Sequence, residues 1–314
     1  MDMKPIKIIT ALLGAAAFLV FSACGNSEEK AEGIKVITTN FPPYDFVREI
    51  TGGKVEAEML LSGGQDSHTF EPTAKDIMKI NEADLFICTG GESDAWIDTI
   101  AESLDGDVKI VRMMDYITPL KVEASDHNHS HEEDEAVGED HSHEYDEHVW
   151  TSPSNAISIS EGITEALCSI SPENAEAYKK GLADYTVELK ALDEELRKAA
   201  EGLKKPLIFG DRFPFTYLAH EYGISYHAAF TGCSSETEPS AAKMTELIDE
   251  AAETGAKVIY HIEFSTCKVA DAIAEAVGAE TRLMHSCHSL SDEDLAAGET
   301  YLSIMRRNIA AMTE

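Results

Sequence analysis

The sequence predicts an α/β protein of two lobes, each built on a mostly parallel sheet, joined by one long rigid backbone helix. Three observations carry this. Short β-branched runs alternate with amphipathic stretches before residue 113 and again after residue 206, the rhythm of parallel strands with helical crossovers. Between them Tyr178, Leu182, Tyr185, Leu189, Leu192, Leu196 and Leu203 recur at intervals of three, four or seven, a single apolar stripe along one helix. Finally, 314 residues with an ordinary 43% hydrophobic content can bury two modest cores.

Residues 34–39 form a β-branched, partly alternating run and read as a strand. Pro42-Pro43 leads into a helix over 44–50, which Gly52-Gly53 breaks. Residues 55–61 read as a strand, 73–81 as a helix, and 83–88 as an apolar strand ending at Gly90-Gly91. A helix over 96–104 and a strand over 108–112 follow. Ser171-Pro172 starts the long helix with a hydroxyl cap and a proline at the first helical position. At 1.5 Å per residue, about 30 residues span roughly 45 Å, more than either lobe needs, so this segment is read as the link between lobes. Strands over 207–210, 225–230 and 257–262 alternate with helices over 215–222, 240–253 and 267–277, before a final amphipathic helix over 301–312. The predicted division is an N-terminal lobe over 34–170, a linking helix over 171–205 and a C-terminal lobe over 206–314. A ligand of such a protein belongs in the cleft between lobes, at the carboxyl ends of strands.

A formal net charge of −33 argues against nucleic acid, whose phosphates require a basic footprint. An acidic surface draws in cations, or simply keeps the protein soluble. Lys4 and Lys7 precede an apolar run over 8–21, too short for a comfortable membrane span. The run ends in Phe21-Ser22-Ala23-Cys24-Gly25, which resembles a bacterial lipoprotein signal with Cys24 as the lipidated residue, although Phe21 stands where leucine is usual. On this reading residues 1–24 are a signal peptide and 25–33 a tether to the outer face of the cell membrane; plain secretion is the alternative. Five further cysteines cannot all pair within one chain, and none sits in a CxxC. Cys233 and Cys287 lie in turn-like polar stretches and either form one disulfide or remain buried thiols.

The histidines cluster. His127, His129 and His131 open an acidic stretch that closes with His141 and His143. Such a segment cannot bury apolar area and reads as a mobile loop over 126–147. Alternating imidazoles among carboxylates suit zinc, copper or nickel, where a merely solvated loop needs no such spacing. His143 and His148 stand five apart, one too many for the HExxH metalloprotease motif, and no nucleophile elbow or phosphate-cradling loop occurs. His68 follows a strand, His148 stands where order resumes after the acidic stretch, and His285-Ser286-Cys287-His288 follows the last short apolar segment.

Ser67-His68-Thr69-Phe70-Glu71-Pro72-Thr73, the histidine-rich insert, His148-Val149-Trp150-Thr151-Ser152-Pro153 and Tyr301-Leu302-Ser303-Ile304-Met305 together resemble the zinc/manganese solute-binding lipoproteins of ABC metal importers. The resemblance runs from about residue 34 to the C-terminus. It implies two α/β lobes on a rigid helix and a metal in the interlobe cleft. The chain is then a monomer serving an importer permease and its ATPase, with Zn2+ as the transported ligand. His68 and His148 look like the first-lobe ligands, and the acidic histidine-rich loop like the mark of the zinc branch. The second lobe departs from the pattern: Gly210-Asp211-Arg212-Phe213 stands where zinc members carry a histidine, and Thr231 is a poor substitute. His288 looks like the replacement for the family's last carboxylate, with His285 and Asp211 as adjacent candidates. Three or four imidazoles favour zinc over manganese. The rival expectations are a manganese-binding homologue, a surface metal-sequestering or adhesive lipoprotein, and a secreted zinc hydrolase.

Overall fold

The strands assemble into two parallel sheets of four. The first contains β1 (Lys35–Thr38), β2 (Glu56–Met59), β3 (Leu85–Cys88) and β4 (Lys109–Arg112) in the order β2-β1-β3-β4. The second contains β5 (Leu207–Phe213), β6 (Tyr226–Thr231), β7 (Val258–His261) and β8 (Glu280–Leu283) in the order β6-β5-β7-β8. The computed structural model describes residues 33–61, 63–65, 67–101, 104, 107–122, 145–234 and 238–313. Cys24, the signal segment, most of the tether and His127, His129, His131, His141 and His143 lie outside these residues.

The shared strand order has a functional consequence. In each sheet the chain leaves the first strand to one side and then returns past it to the other. The switch point therefore lies between β1 and β3, and between β5 and β7, where ligands of open parallel sheets bind. Central strands are buried on both faces, as in Leu85–Cys88, while the edge strand Glu56–Met59 alternates exposed glutamates with half-buried residues.

Helices fill both faces. Those of the first half are α1 (Phe41–Thr51), α2 (Ala74–Asn81), α3 (Trp96–Ala101) and α4 (Pro153–Ile170). Then come α5 (Ala175–Gly202), α6 (Thr216–Tyr222), α7 (Ala241–Thr254), α8 (Lys268–Val277), α9 (Asp292–Ala297) and α10 (Tyr301–Thr313). Prolines at the first positions of α1 and Gly52 at φ 62° beyond its end mark its limits. Thr73 and Asp76 form a capping box on α2. The long helix is 28 residues, about 42 Å; a 3₁₀ turn at Pro172–Asn174 replaces its predicted first turn.

Instead of two separate cores, one large cluster runs from Val36 to Met312 through both sheets, bound together by Tyr185, Leu189, Leu192 and Leu196 of α5. Two smaller clusters cover the outer faces, around Phe86 and Ile97 for the first sheet and Ile208 and Ile273 for the second. The period of two divides them: Leu85 and Ile87 face the shared core, Phe86 and Cys88 the outer one. The helix predicted as a link is thus also the middle layer of the core.

The buried Asp45 of α1 accepts the Tyr301 N–H of α10 at 2.8 Å. Burial raises its carboxyl from the ordinary 3.8 to about 7, against the lowering effect of that N–H. The folded state therefore holds a proton that the unfolded chain gives up near pH 4. This contribution is complete below about pH 4 and is lost as pH rises through 7. Asp45→Asn keeps the acceptor without the charge. It is expected to raise stability at pH 8 by up to about 4 kcal/mol and to leave pH 4 nearly unchanged, read from urea unfolding at both pH values.

Candidate metal centre

His68, His148 and His288 converge. Their ring centroids are 5.4 Å apart in all three pairs. Imidazoles ligating zinc at about 2.0–2.1 Å with tetrahedral angles have centroids about 5.2 Å apart, so the spacing suits one ion among the three rings. The side-chain donor atoms of His68, His148 and Cys233 all lie within 4.8 Å of one another. Gln65, Arg212, Glu263 and Phe264 are among the other residues that line this cleft.

His68 sits on a 3₁₀ turn, Ser67–Thr69, in the connection after β2. Its Nδ1 is 2.7 Å from Ser93 Oγ, in a second 3₁₀ turn, Glu92–Asp94, that follows β3. The Ser93 N–H donates to Glu147 Oε1 at 2.9 Å, and Glu147 Oε2 lies 3.8 Å from His68 Nδ1. Gly91 makes room for that carboxylate, since a Cβ there would stand 2.3 Å from Glu147 Oε1. With Nδ1 turned to Ser93, the opposite ring edge, Nε2, is the one presented to a metal.

His148 precedes the 3₁₀ turn Val149–Thr151 that leads into α4. Its backbone N–H donates to Asp146 Oδ1 at 2.8 Å, and its Nδ1 lies 3.0 Å from the same oxygen. The second half of the chain holds Asp146 in turn: Thr216 Oγ1 donates to Oδ2 at 2.8 Å, and the Tyr217 hydroxyl donates to its carbonyl at 2.8 Å. Burial alone would lower the His148 pKa, but the Asp146 carboxylate, with a smaller contribution from Cys233, pushes it up to about 10. The same pairing outweighs burial at Asp146 and lowers its carboxyl below the ordinary 3.8. A metal must therefore displace a proton from His148.

His288 follows β8 in a loop tied down on several sides. Trp150 Nε1 donates to Ser286 O at 2.7 Å, the Ser286 N–H and hydroxyl both donate to Glu263, and the Phe41 N–H donates to His288 O at 3.3 Å. Cys287 turns the chain at φ 63°. The Tyr301 motif has a structural role here: its hydroxyl donates to Trp150 O at 2.7 Å, locking α10 to the segment that bears His148.

Two predicted residues are placed elsewhere. His285 is buried beside the cleft, where the Cys287 N–H donates to its Nδ1 at 2.9 Å and Asn308 brackets its backbone. Asp211 turns back on its own sheet, Oδ1 accepting the Arg212 N–H at 2.8 Å and Oδ2 the Ile262 N–H at 3.3 Å. Gly210 cannot bear a donor because α8 lies on it: a Cβ would stand 2.3 Å from Ala270 Cα. Cys233 and Cys287 are unbridged thiols, the first among the histidines and the second in the central core. Cys233 is the residue sequence reasoning missed as a donor. It occupies no spaced motif, and its one clue was the absent second-lobe histidine.

Residues 36–314 match the family described as ZnuA, zinc-uptake complex component A, periplasmic. The high-affinity zinc uptake system protein ZnuA of Bacillus subtilis is 34% identical over 96% of this chain and 95% of its own length. The zinc-binding lipoprotein AdcA of Streptococcus pneumoniae is 32% identical over 99% of this chain, which spans only 61% of AdcA. The crystal structure of the Zn(II)-bound ZnuA-like domain of that AdcA superposes with a TM-score of 0.72 at 29% identity, covering 90% of this chain and 98% of the domain. The family match, the identity and the superposition agree, and the chain belongs to the ZnuA family of zinc-uptake components.

Proposed function

We propose that the chain captures a zinc ion between its two sheets and delivers it to an ABC importer, a permease with its ATPase, at the outer face of the cell membrane. His68, His148 and His288 are the imidazole ligands, and the observation that carries this reading is their common 5.4 Å spacing, with His68 and His288 in the connections that follow β2 and β8. His288 joins by turning its ring toward the donors of the other two. His285 and Asp211 act outside the ligand set, bracing the loop after β8 and the segment after β7. Residues 1–24 are a signal, with Cys24 lipidated and 25–33 as tether. The protein is a carrier with no catalytic role, and it works as a monomer.

Isothermal calorimetry of the purified chain is expected to give one tight zinc site per molecule. Heat only from weak, multiple sites would refute the reading. Because bound zinc displaces the His148 proton, apparent affinity should fall roughly tenfold per pH unit for each proton displaced on acidification, and binding heats should vary with buffer ionisation enthalpy. The histidine-rich residues 126–147 serve as an accessory collector. Deletion of residues 126–144, which spares Asp146 and Glu147, is expected to lower zinc stoichiometry and to leave the tight site, and loss of that site would assign capture to the loop instead.

A further inference from the structure

The departure of this chain from the pattern that the family resemblance implies lies in the second half of the site, where Gly210 is packed under α8 and Arg212 lines the cleft. Three imidazoles leave a tetrahedral zinc one position short, as in catalytic sites that keep a water there. A carrier needs no such water. Cys233 lies in the turn after β6, at a carboxyl end like the other donors. Its thiol belongs to the set of donor atoms, with those of His68 and His148, that lie within 4.8 Å of one another. The backbone beneath it is held close: a Cβ on Gly232 would stand 3.0 Å from Asp146 Oδ2 and 2.9 Å from Phe213 O. The carboxylate that orients His148 therefore also packs against the turn that presents Cys233.

We infer that Cys233 supplies the fourth ligand as a thiolate, so that this chain binds its cargo in a closed His3Cys site. The inference rests on the zinc-capture reading above. Tetrahedral zinc sets nitrogen and sulfur about 3.6 Å apart, so donors already within 4.8 Å of one another need close by no more than about an ångström on binding. The S–H bond breaks, the sulfur keeps the electron pair it donates to the metal, and the proton leaves to solvent. A soft sulfur donor favours zinc over manganese more strongly than a fourth nitrogen or a carboxylate would.

Cobalt(II) reports on this directly, because a thiolate ligand adds an intense near-ultraviolet charge-transfer band that imidazole and carboxylate do not. The cobalt-loaded full-length chain is expected to show the band, Cys233→Ala to lose it, and Cys267→Ser to keep it. Zinc affinity of Cys233→Ala, measured by competition with a chelator, should fall by at least tenfold, the lower range for loss of a supporting partner alone. A band that persists in Cys233→Ala overturns the inference. So does its absence from the unmodified chain, a test independent of whether any variant folds. Should the unmodified chain lack the band while cobalt binding still depends on His68 and His148, only the cysteine ligand is lost. Cobalt binding without the band and indifferent to both histidines would overturn the capture reading as well.

Discussion

Replacing His148 by alanine is expected to abolish tight zinc binding, lowering affinity by well over a hundredfold. The size follows from what the residue combines. Its ring stands 5.4 Å by centroid from each of the other two. Its orientation is fixed by two contacts to one Asp146 oxygen. Alanine removes the ligand and leaves Asp146 buried, with its charge answered by the residue-148 backbone N–H and Thr216 but no longer by an imidazole, so some loss of fold stability accompanies the loss of metal. Asp146→Asn separates the two effects. The amide can keep a hydrogen bond to Nδ1 but not the charge, and affinity should fall only about 10–100-fold. Competition with a chromophoric zinc chelator measures both. Equal affinities for His148→Ala and the unmodified chain would place the tight site elsewhere.

Gly181→Ala is expected to destabilise the protein by about 2–3 kcal/mol, the opposite of what the same change does on an exposed helix. In the middle of a free helix, alanine in place of glycine gains roughly 1 kcal/mol. Here α1 and α5 meet backbone to backbone: a Cβ on Gly181 would stand 1.9 Å from Ile50 O and 2.8 Å from its carbonyl carbon. Neither atom belongs to a side chain that can swing aside, so α1 must move. Because the Phe41 N–H at the other end of α1 holds the His288 carbonyl, the displacement should also weaken zinc binding. Gly202→Ala, at the end of the same helix with nothing within 4 Å, should be neutral or slightly stabilising. Urea unfolding of the two variants checks the contrast, and similar midpoints would mean that the helices do not pack this closely.

Most elements were legible because their patterns are local. The stripe of α5, the proline start of α1 and the apolar runs of β1 and β3 each read from neighbouring residues. The helix α4 did not. Its serines, threonine and isoleucines are poor helix formers, and Gly162 interrupts it. It forms because Ile159, Ile163 and Leu167 bury one face, and because Gly162 admits the Tyr116 ring, whose Cε1 would lie 2.2 Å from a Cβ. The bulge of β5 between Phe209 and Arg212, which separates Asp211 from the cleft, likewise has no local signature.

At the site, sequence alone marked the histidines of the cleft, because imidazoles beside strand ends in recognisable contexts carry their chemistry in their identity. It also set the class of cargo that such donors suit. The tertiary structure decided which donors meet. His285 and His288 are three residues apart and chemically alike, yet the left-handed turn at Cys287 sends one toward Asn308 and the other into the cleft. Cys233 and Cys287 looked like partners, yet one stands among the imidazoles and the other in the central core. Residue identity fixes what a group can bind, whereas convergence depends on sheet order and loop direction, which no short stretch of chain encodes.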